Sequence, residues 1–188
     1  MDALVNVFSG FGLSTAAGLN AYLPLLIVAL TARFTDLITL QKPWDALEHP
    51  AVIVLLAVLL IVEMTADKIP AVDTANDVIN TAVRPAAGAI LFAAQTNLIG
   101  DVHPALALAC GLLIAGTVHA AKATARPVVT ATTGGLGNPV VSVIEDVISA
   151  ATAILSILVP VLVVFFVAAV GYMAYRWVRR RRGKRAAA

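Results

Sequence analysis

Long apolar runs without polar alternation dominate the chain and predict membrane-spanning helices. The main runs cover 4–32, 51–62, 85–94, 104–118 and 139–177. Backbone N–H and C=O groups in lipid must be satisfied within the protein, which restricts spanning structures to helices and closed barrels. Continuous apolar runs favour helices. We therefore predict an all-α, polytopic transmembrane helical bundle with broken helices.

Two of these runs are longer than one crossing requires, since about 20 helical residues cross a hydrocarbon core of ~30 Å. The first, 4–32, contains Asn20 and Pro24, so we expect it to be tilted, kinked or broken. The last, 139–177, has Pro160 near its middle. A hairpin at Pro160 gives about six spans and one kinked helix gives five. We favour the hairpin, because it keeps the basic loops in the cytoplasm.

Composition supports a membrane location. The chain has 60% hydrophobic and 13% charged residues, whereas soluble domains are roughly half apolar and about a quarter charged. Such a chain cannot cover itself with polar surface, so its expected partner is the lipid bilayer. The N-terminus lacks the basic region of a cleavable signal peptide, so we interpret the first run as a retained span. Cys110 lies in an apolar run and is interpreted as a packing residue.

The basic residues are concentrated at the C-terminus. Seven of the thirteen lie between Arg176 and Arg185. The positive-inside rule places this tail in the cytoplasm. A topological anchor explains the cluster more simply than binding of anionic lipid or nucleic acid, so no nucleic-acid partner is expected. The predicted organisation is a single transmembrane domain, 1–178, followed by a basic cytoplasmic tail, 179–188.

An internal repeat is predicted from matches at a constant offset of 54 residues. His49-Pro50-Ala51 recurs as His103-Pro104-Ala105, and the same offset relates Lys68 to Lys122 and Pro85 to Pro139. Each unit, about 49–100 and 103–158, starts an apolar helix with His-Pro and opens a second helix with proline. The alternative is chance recurrence of a helix-start dipeptide. A real repeat would be of the parallel type found in some transporters, with the site between the units.

The two units carry opposite charge. The segment 63–85 holds four acids, which fall into two pairs of i, i+4 spacing that share a helical face. The matching segment, 119–139, is basic and rich in threonine and glycine, and its glycines before Pro139 would let backbone N–H groups approach an anion. Glu145 is expected to pair with Lys122, Arg126 or Arg84, because a carboxylate in an apolar helix needs a partner.

Twelve residues form the predicted binding site for a small charged solute or ion. They are Glu63, Asp67, Lys68, Asp73, Asn76, Asp77, Arg84, His119, Lys122, Arg126, Asn138 and Glu145. Asn138 also stands in a natural N-cap position, and Asp146 is explained by the dipole of its helix. A metal ion, if one binds, would be held by Asp73 and Asp77. No catalytic residue and no cofactor are predicted.

Several segments across nearly the whole chain resemble a family of small multipass bacterial membrane proteins known only as a domain of unknown function. They are Gly18–Pro24, Asp67–Pro70 with Asp73, Arg84–Gly88, Gly134–Gly135, Asn138–Pro139 and Glu145–Asp146. The resemblance implies a location in the bacterial inner membrane. It carries no established activity, so no functional residue is transferred from it.

Three functions fit this pattern. The first is a transporter or channel for a small charged solute or ion, in which the acids bind a cation or proton and the basic residues pair with them or bind an anion. Proton coupling is compatible with this function, since a histidine such as His119 and buried carboxylates can titrate near neutrality. The second is an enzyme or flippase acting on a lipid-linked phosphate. The third is a noncatalytic scaffold that forms homo-oligomers through its glycine-bearing first span. We favour the first, and so a non-enzymatic role.

Overall fold

The computed structural model describes residues 2–66, 70–96 and 102–186, and these residues form helices without any strand. The prediction of an all-α protein is therefore confirmed for the described chain. A short 3₁₀ helix, Trp44–Glu48, precedes the third α-helix. The α-helices are α1 (Asp2–Leu19), α2 (Tyr22–Phe34), α3 (Pro50–Ala66), α4 (Pro70–Thr96), α5 (Pro104–Thr133), α6 (Asn138–Leu158) and α7 (Pro160–Ala186).

Two of the described helices, α5 and α6, are long and apolar enough to cross a membrane. Shorter apolar helical stretches cover Leu4–Leu19, Tyr22–Phe34 and Pro50–Ala66, and Pro160–Met173 begins α7. These helices suggest membrane association. The arrangement of about six spans stays a prediction.

The described helices expose apolar side chains and bury charged ones. On α3, Val54 and Ile61 are 63% and 65% exposed, whereas Glu63 on the same helix is only 1% exposed. Arg84 on α4 is completely buried. Water-soluble proteins rarely bury such charges or expose contiguous apolar faces. This distribution fits a protein whose outer surface contacts lipid.

The first apolar run is broken at Asn20, as the sequence predicts. Helix α1 ends at Leu19, and the Asn20 side chain accepts a hydrogen bond from the backbone N–H of Leu23 (3.0 Å), which caps the start of α2. Trp44, after α2, and Val7, near the beginning of α1, both pack against a buried cluster that includes Phe92 and Ala107. The run therefore forms two helices instead of one straight span.

Helix α1 lies at the centre of the bundle and packs against α4, α5, α6 and α7. Small residues make this possible: a Cβ atom added at Gly18 would lie 2.7 Å from the Ala115 carbonyl oxygen. Helices α4 and α5 approach equally closely, since a Cβ at Gly88 would lie 2.8 Å from the Gly111 carbonyl oxygen. Gly18 therefore allows α1 to approach α5 closely.

The prediction that Pro85 opens a helix is wrong, because Pro85 lies inside α4. Pro127 likewise lies inside α5. An internal proline costs one backbone hydrogen bond, and helices in membranes tolerate this when neighbouring groups satisfy the freed carbonyl. Pro139, in contrast, stands in the first turn of α6 as predicted. At Pro160 the chain starts α7 after a single non-helical residue, Val159.

The two His-Pro-Ala sequences have the same local structure. His49 Nδ1 accepts a hydrogen bond from Ala51 N (3.3 Å), and His103 Nδ1 accepts one from Ala105 N (3.2 Å). Each histidine thus caps a helix whose first residue is proline. This capping role is sufficient to explain the recurrence. The predicted repeat does not extend to the second helix of each unit, which starts at Pro70 in one unit and at Asn138 in the other.

The side chain of Cys110, interpreted from the sequence as a packing residue, is exposed on α5. The apolar run that contains Cys110 lies in α5, which packs one face against α4 and exposes the other. Apolar sequence alone does not separate a lipid-facing position from an interior one, because both environments are apolar.

Candidate functional site

Glu63, at the end of α3, is the centre of a buried ion-pair cluster. Its Oε1 atom accepts hydrogen bonds from Arg84 Nη2 (2.9 Å), Arg84 Nε (3.3 Å) and Asn80 Nδ2 (3.1 Å). Arg84 Nη1 lies 3.2 Å from His119 Nδ1, and His119 Nε2 lies 3.2 Å from Thr81 Oγ1. We call these residues the Glu63 cluster. It joins α3, α4 and α5 through charged groups withdrawn from solvent.

Glu145, on α6, is the centre of a second cluster. Its Oε2 atom lies 2.9 Å from Lys122 Nζ and 3.2 Å from Arg126 Nη2, so one carboxylate oxygen serves two cations of α5. The Lys122 side chain is 2% exposed and that of Glu145 is 15% exposed. We call Lys122, Arg126 and Glu145 the Glu145 cluster. The predicted pairing of Glu145 with Lys122 and Arg126 is present in the structure.

The turn between α1 and α2 lies against the Glu145 cluster. Lys122 Nζ donates to the Leu19 carbonyl (3.1 Å), which belongs to the last residue of α1. Asn20 Nδ2 donates to Asp146 Oδ1 (2.9 Å). Carbonyls at a helix C-terminus lack intrahelical partners and carry the negative end of the helix dipole, so they attract a cation. The broken helix therefore supplies backbone groups to a charged site, as in transporters with discontinuous helices.

The two clusters adjoin because α5 carries members of both on one face. The buried residues of α5 recur at intervals of three or four, which keeps them on one side of a helix. They are Ala107, Gly111, Ala115, His119, Lys122 and Arg126. The first half of this face is small and permits close packing with α4. The second half is charged, so the sequence of α5 places the ionic groups at one level of the bundle.

The structure brings together six of the twelve predicted residues. Glu63, Arg84 and His119 form one cluster, and Lys122, Arg126 and Glu145 form the other. Asn76 is half-buried on α4. Asp67 and Lys68 lie outside the described residues, and so do the side chains of Asp73 and Asp77, whose backbone belongs to α4.

The prediction that Asn138 caps a helix is wrong. Helix α6 begins at Asn138, and the Asn138 side chain instead donates from Nδ2 to Thr130 Oγ1 on α5 (3.0 Å). The preceding glycines end α5: Gly134 has a φ of 62°, in the left-handed region that glycine adopts readily, and stands at the C-cap. The glycines thus form the end of α5, and the anion-binding role suggested by the sequence stays a prediction.

Sequence analysis missed Asp146 and a row of hydroxyl groups on α6. Asp146 was explained by the helix dipole alone, but it is buried and bound by Asn20. Ser149 Oγ donates to the Ala16 carbonyl of α1 (2.9 Å). The sequence pattern that could have identified them is the spacing of polar residues by three or four positions within the otherwise apolar helix α6. These buried residues of α6 are Asn138, Ser142, Asp146, Ser149, Thr152 and Ser156.

No group of three or more His, Cys, Asp or Glu side chains positioned to hold a metal ion is found among the described residues. The hypothesis of a metal at Asp73 and Asp77 concerns side chains outside that part of the structure, so it stays untested. The described site consists instead of paired carboxylates and cations. Its chemistry is that of ion pairing and charge-assisted hydrogen bonding.

The sequence match that places the chain in a family covers residues 7–180, almost its whole length, and therefore includes both clusters. The chain belongs to the DUF4126 family. This family is described as a domain of unknown function. No curated protein and no solved structure matches this DUF4126 chain significantly. The resemblance noted from the sequence is thus confirmed at the level of the family, which assigns no activity.

Proposed function

We propose that this DUF4126 protein is a membrane transporter or channel for a small charged solute or ion, with its site at the turn between α1 and α2. The observation that carries the proposal is the contact of Lys122 with both the Leu19 carbonyl and Glu145. Non-helical backbone inside a membrane is tolerated where protein or a water-filled cavity surrounds it. Ionisable residues at such depth commonly mark a pathway for a solute or ion.

The depth of the clusters supports this proposal. Glu63 lies thirteen positions after Pro50, and His119 lies fifteen positions after Pro104. Each distance corresponds to about 20 Å of helix. A hydrocarbon core is ~30 Å thick. If α3 and α5 enter the membrane at their histidine caps, the charged groups lie well inside it. Burial of so many charges is costly, so a purely structural role explains them poorly.

The proposed setting is the bacterial inner membrane, in about six spans with the basic tail in the cytoplasm. The positive-inside rule supports this orientation. Asp67 and Asp73 are proposed as further ion-binding residues, and their replacement by Asn should reduce uptake.

A ligand screen on the purified protein tests the function without knowledge of the substrate. Thermal unfolding is measured in detergent with a panel of inorganic ions, amines, carboxylates and phosphates. A ligand at 100 times its Kd should stabilise the protein by about 2.7 kcal/mol. Uptake of each stabilising solute is then measured in liposomes.

Two variants give the screen its specificity. Lys122→Gln removes the cation that binds the end of α1, and Arg33→Gln removes an exposed cation whose Nη1 donates to the Glu48 carbonyl (2.9 Å). We expect Lys122→Gln to abolish stabilisation and uptake, and Arg33→Gln to preserve both. Equal uptake by the two variants, or no solute that stabilises the wild type, would argue against the proposal.

A further inference from the structure

The two ring nitrogens of His119 contact Arg84 and Thr81, and the contact with Arg84 defines the protonation state of the ring. Arg84 Nη1 approaches His119 Nδ1 at 3.2 Å, and Thr81 Oγ1 approaches His119 Nε2 at 3.2 Å. A guanidinium group has only N–H donors and does not lose its proton in proteins. His119 Nδ1 must therefore accept, so the single ring proton of the neutral imidazole resides on Nε2 and is donated to the Thr81 hydroxyl. The contact with Arg84 exists only while His119 is neutral.

Protonation of His119 would break this contact. A proton arriving at Nδ1 uses the lone pair that accepts from Arg84, forms an N–H bond, and leaves two N–H groups and two positive charges facing each other at 3.2 Å. In a buried setting such like charges repel strongly. Either the imidazolium or the guanidinium must then move. Since Glu63 Oε1 also binds Arg84, the guanidinium has a second partner that persists when His119 is lost.

Polar and charged groups on α2, α3, α4 and α5 surround His119 among the described residues. Helix α4 contributes Thr81 and Arg84, α3 contributes Glu63 through Arg84, and Tyr22 of α2 lies within electrostatic range of Glu63 and Arg84. The next turn of α5 carries Lys122, which connects to α1 and α6. The charged groups of both clusters are Glu63, Arg84, Lys122, Arg126 and Glu145. A proton on His119 therefore adds positive charge to the Glu63 cluster, one turn of α5 away from the Glu145 cluster.

On the basis of the transport function above, we propose that His119 is the proton-binding site of the protein and that the coupled ion is H⁺. Protonation at Nδ1 separates His119 from Arg84 and lets the guanidinium change position within the Glu63 cluster. Because Lys122 lies one turn from His119 on the same face of α5, this movement reaches the residue that binds the end of α1. A proton thereby alters the site at the turn between α1 and α2.

Nitrogen-15 NMR of protein labelled at histidine and arginine, in lipid nanodiscs, tests the proton site directly. The other two histidines, His49 and His103, are exposed caps and are replaced by Asn, which also caps helices well. At neutral pH we expect His119 to be neutral with its proton on Nε2. On acidification, Nδ1 should gain a proton while the Arg84 side-chain resonances shift with the same midpoint. A ring protonated at Nδ1 in the neutral state would overturn the proposal.

Arg84→Gln is the decisive variant. Glutamine can still donate an N–H to His119 but carries no charge, so His119 should bind a proton at least about tenfold more tightly than in the wild type. Arg33→Gln, which changes an exposed cation, should leave the titration unchanged. An unchanged midpoint in Arg84→Gln would show that the guanidinium does not control the His119 proton.

A measurement of proton movement in liposomes distinguishes proton binding by His119 from coupling of that proton to solute transport. Vesicles containing a pH-sensitive dye are given a gradient of the transported solute. We expect the wild type to move protons with the solute, and His119→Asn, whose amide oxygen can accept from Arg84 but cannot titrate, to lose proton movement. Solute transport without proton movement in the wild type would overturn the coupling. If no solute is transported, the transport function fails, and the NMR titration still decides whether His119 is the proton site.

Discussion

The ion pair of Glu63 and Arg84 provides the sharpest test of the buried network. Glu63→Gln would remove a carboxylate that binds the Arg84 guanidinium, which is completely buried. Breaking a buried pair by removing one partner costs about 3–5 kcal/mol. Arg84→Gln should cost a similar amount, because it leaves the Glu63 carboxylate buried. If the two costs were additive, the double variant would lose roughly 6–10 kcal/mol.

We expect the double variant to lose far less, because no uncompensated charge remains when both partners are neutral. The coupling energy between the two positions should be about 2–3 kcal/mol or more. Unfolding free energies are measured by titration of the purified protein in mixed micelles with SDS. Arg33→Gln serves as the control, since an exposed cation contributes below about 1 kcal/mol. Single variants no worse than this control, or additive costs, would refute the buried pair.

Three further predictions concern the packing around the site. Gly111→Ala should destabilise the protein by about 1–3 kcal/mol relative to Gly116→Ala, because the new Cβ would lie 2.7 Å from Phe92 Cβ at Gly111 but 3.7 Å from its nearest neighbour at Gly116. Ser149→Ala should cost about 1 kcal/mol, whereas Ser142→Ala should be neutral, since Ser142 Oγ has no hydrogen-bond partner in the described chain. Asn20→Ala should cost about 1–3 kcal/mol through loss of the cap and of the bond to the α6 carboxylate. Equilibrium unfolding checks all three, and equal stabilities within a pair would contradict the packing described.

The sequence was sufficient to predict the helices, the break in the first run and the partners of Glu145. Each of these follows from a local rule that has few exceptions in lipid: backbone groups satisfy themselves, long runs must break, and a carboxylate in an apolar helix needs a cation. Glu145 had only three candidate partners, and two of them, Lys122 and Arg126, bind it.

The remaining features depend on tertiary contacts that a local pattern does not contain. Pro85 resembles a helix start, but the helix already begins at Pro70 and the bundle tolerates the internal proline. Asp146 resembles a residue that only favours the helix dipole, but the turn after α1 places Asn20 beside it. Because Asn20 and Asp146 lie far apart along the chain, a local sequence pattern could not predict their hydrogen bond.

The two halves of α5 suggest how packing and chemistry are divided in this protein. At Gly111 the backbones of α4 and α5 approach so closely that an added Cβ would lie 2.8 Å from Ala89 Cα, and the small residue Ala115 follows one turn later. Four residues later, at His119, the same face presents a titratable ring, and Lys122 and Arg126 follow. Close packing on the first half of α5 holds the helices in place. A change of charge on the second half therefore cannot be relieved by helix movement at the first half. We expect its effect to appear where the backbone is already interrupted, at the turn between α1 and α2.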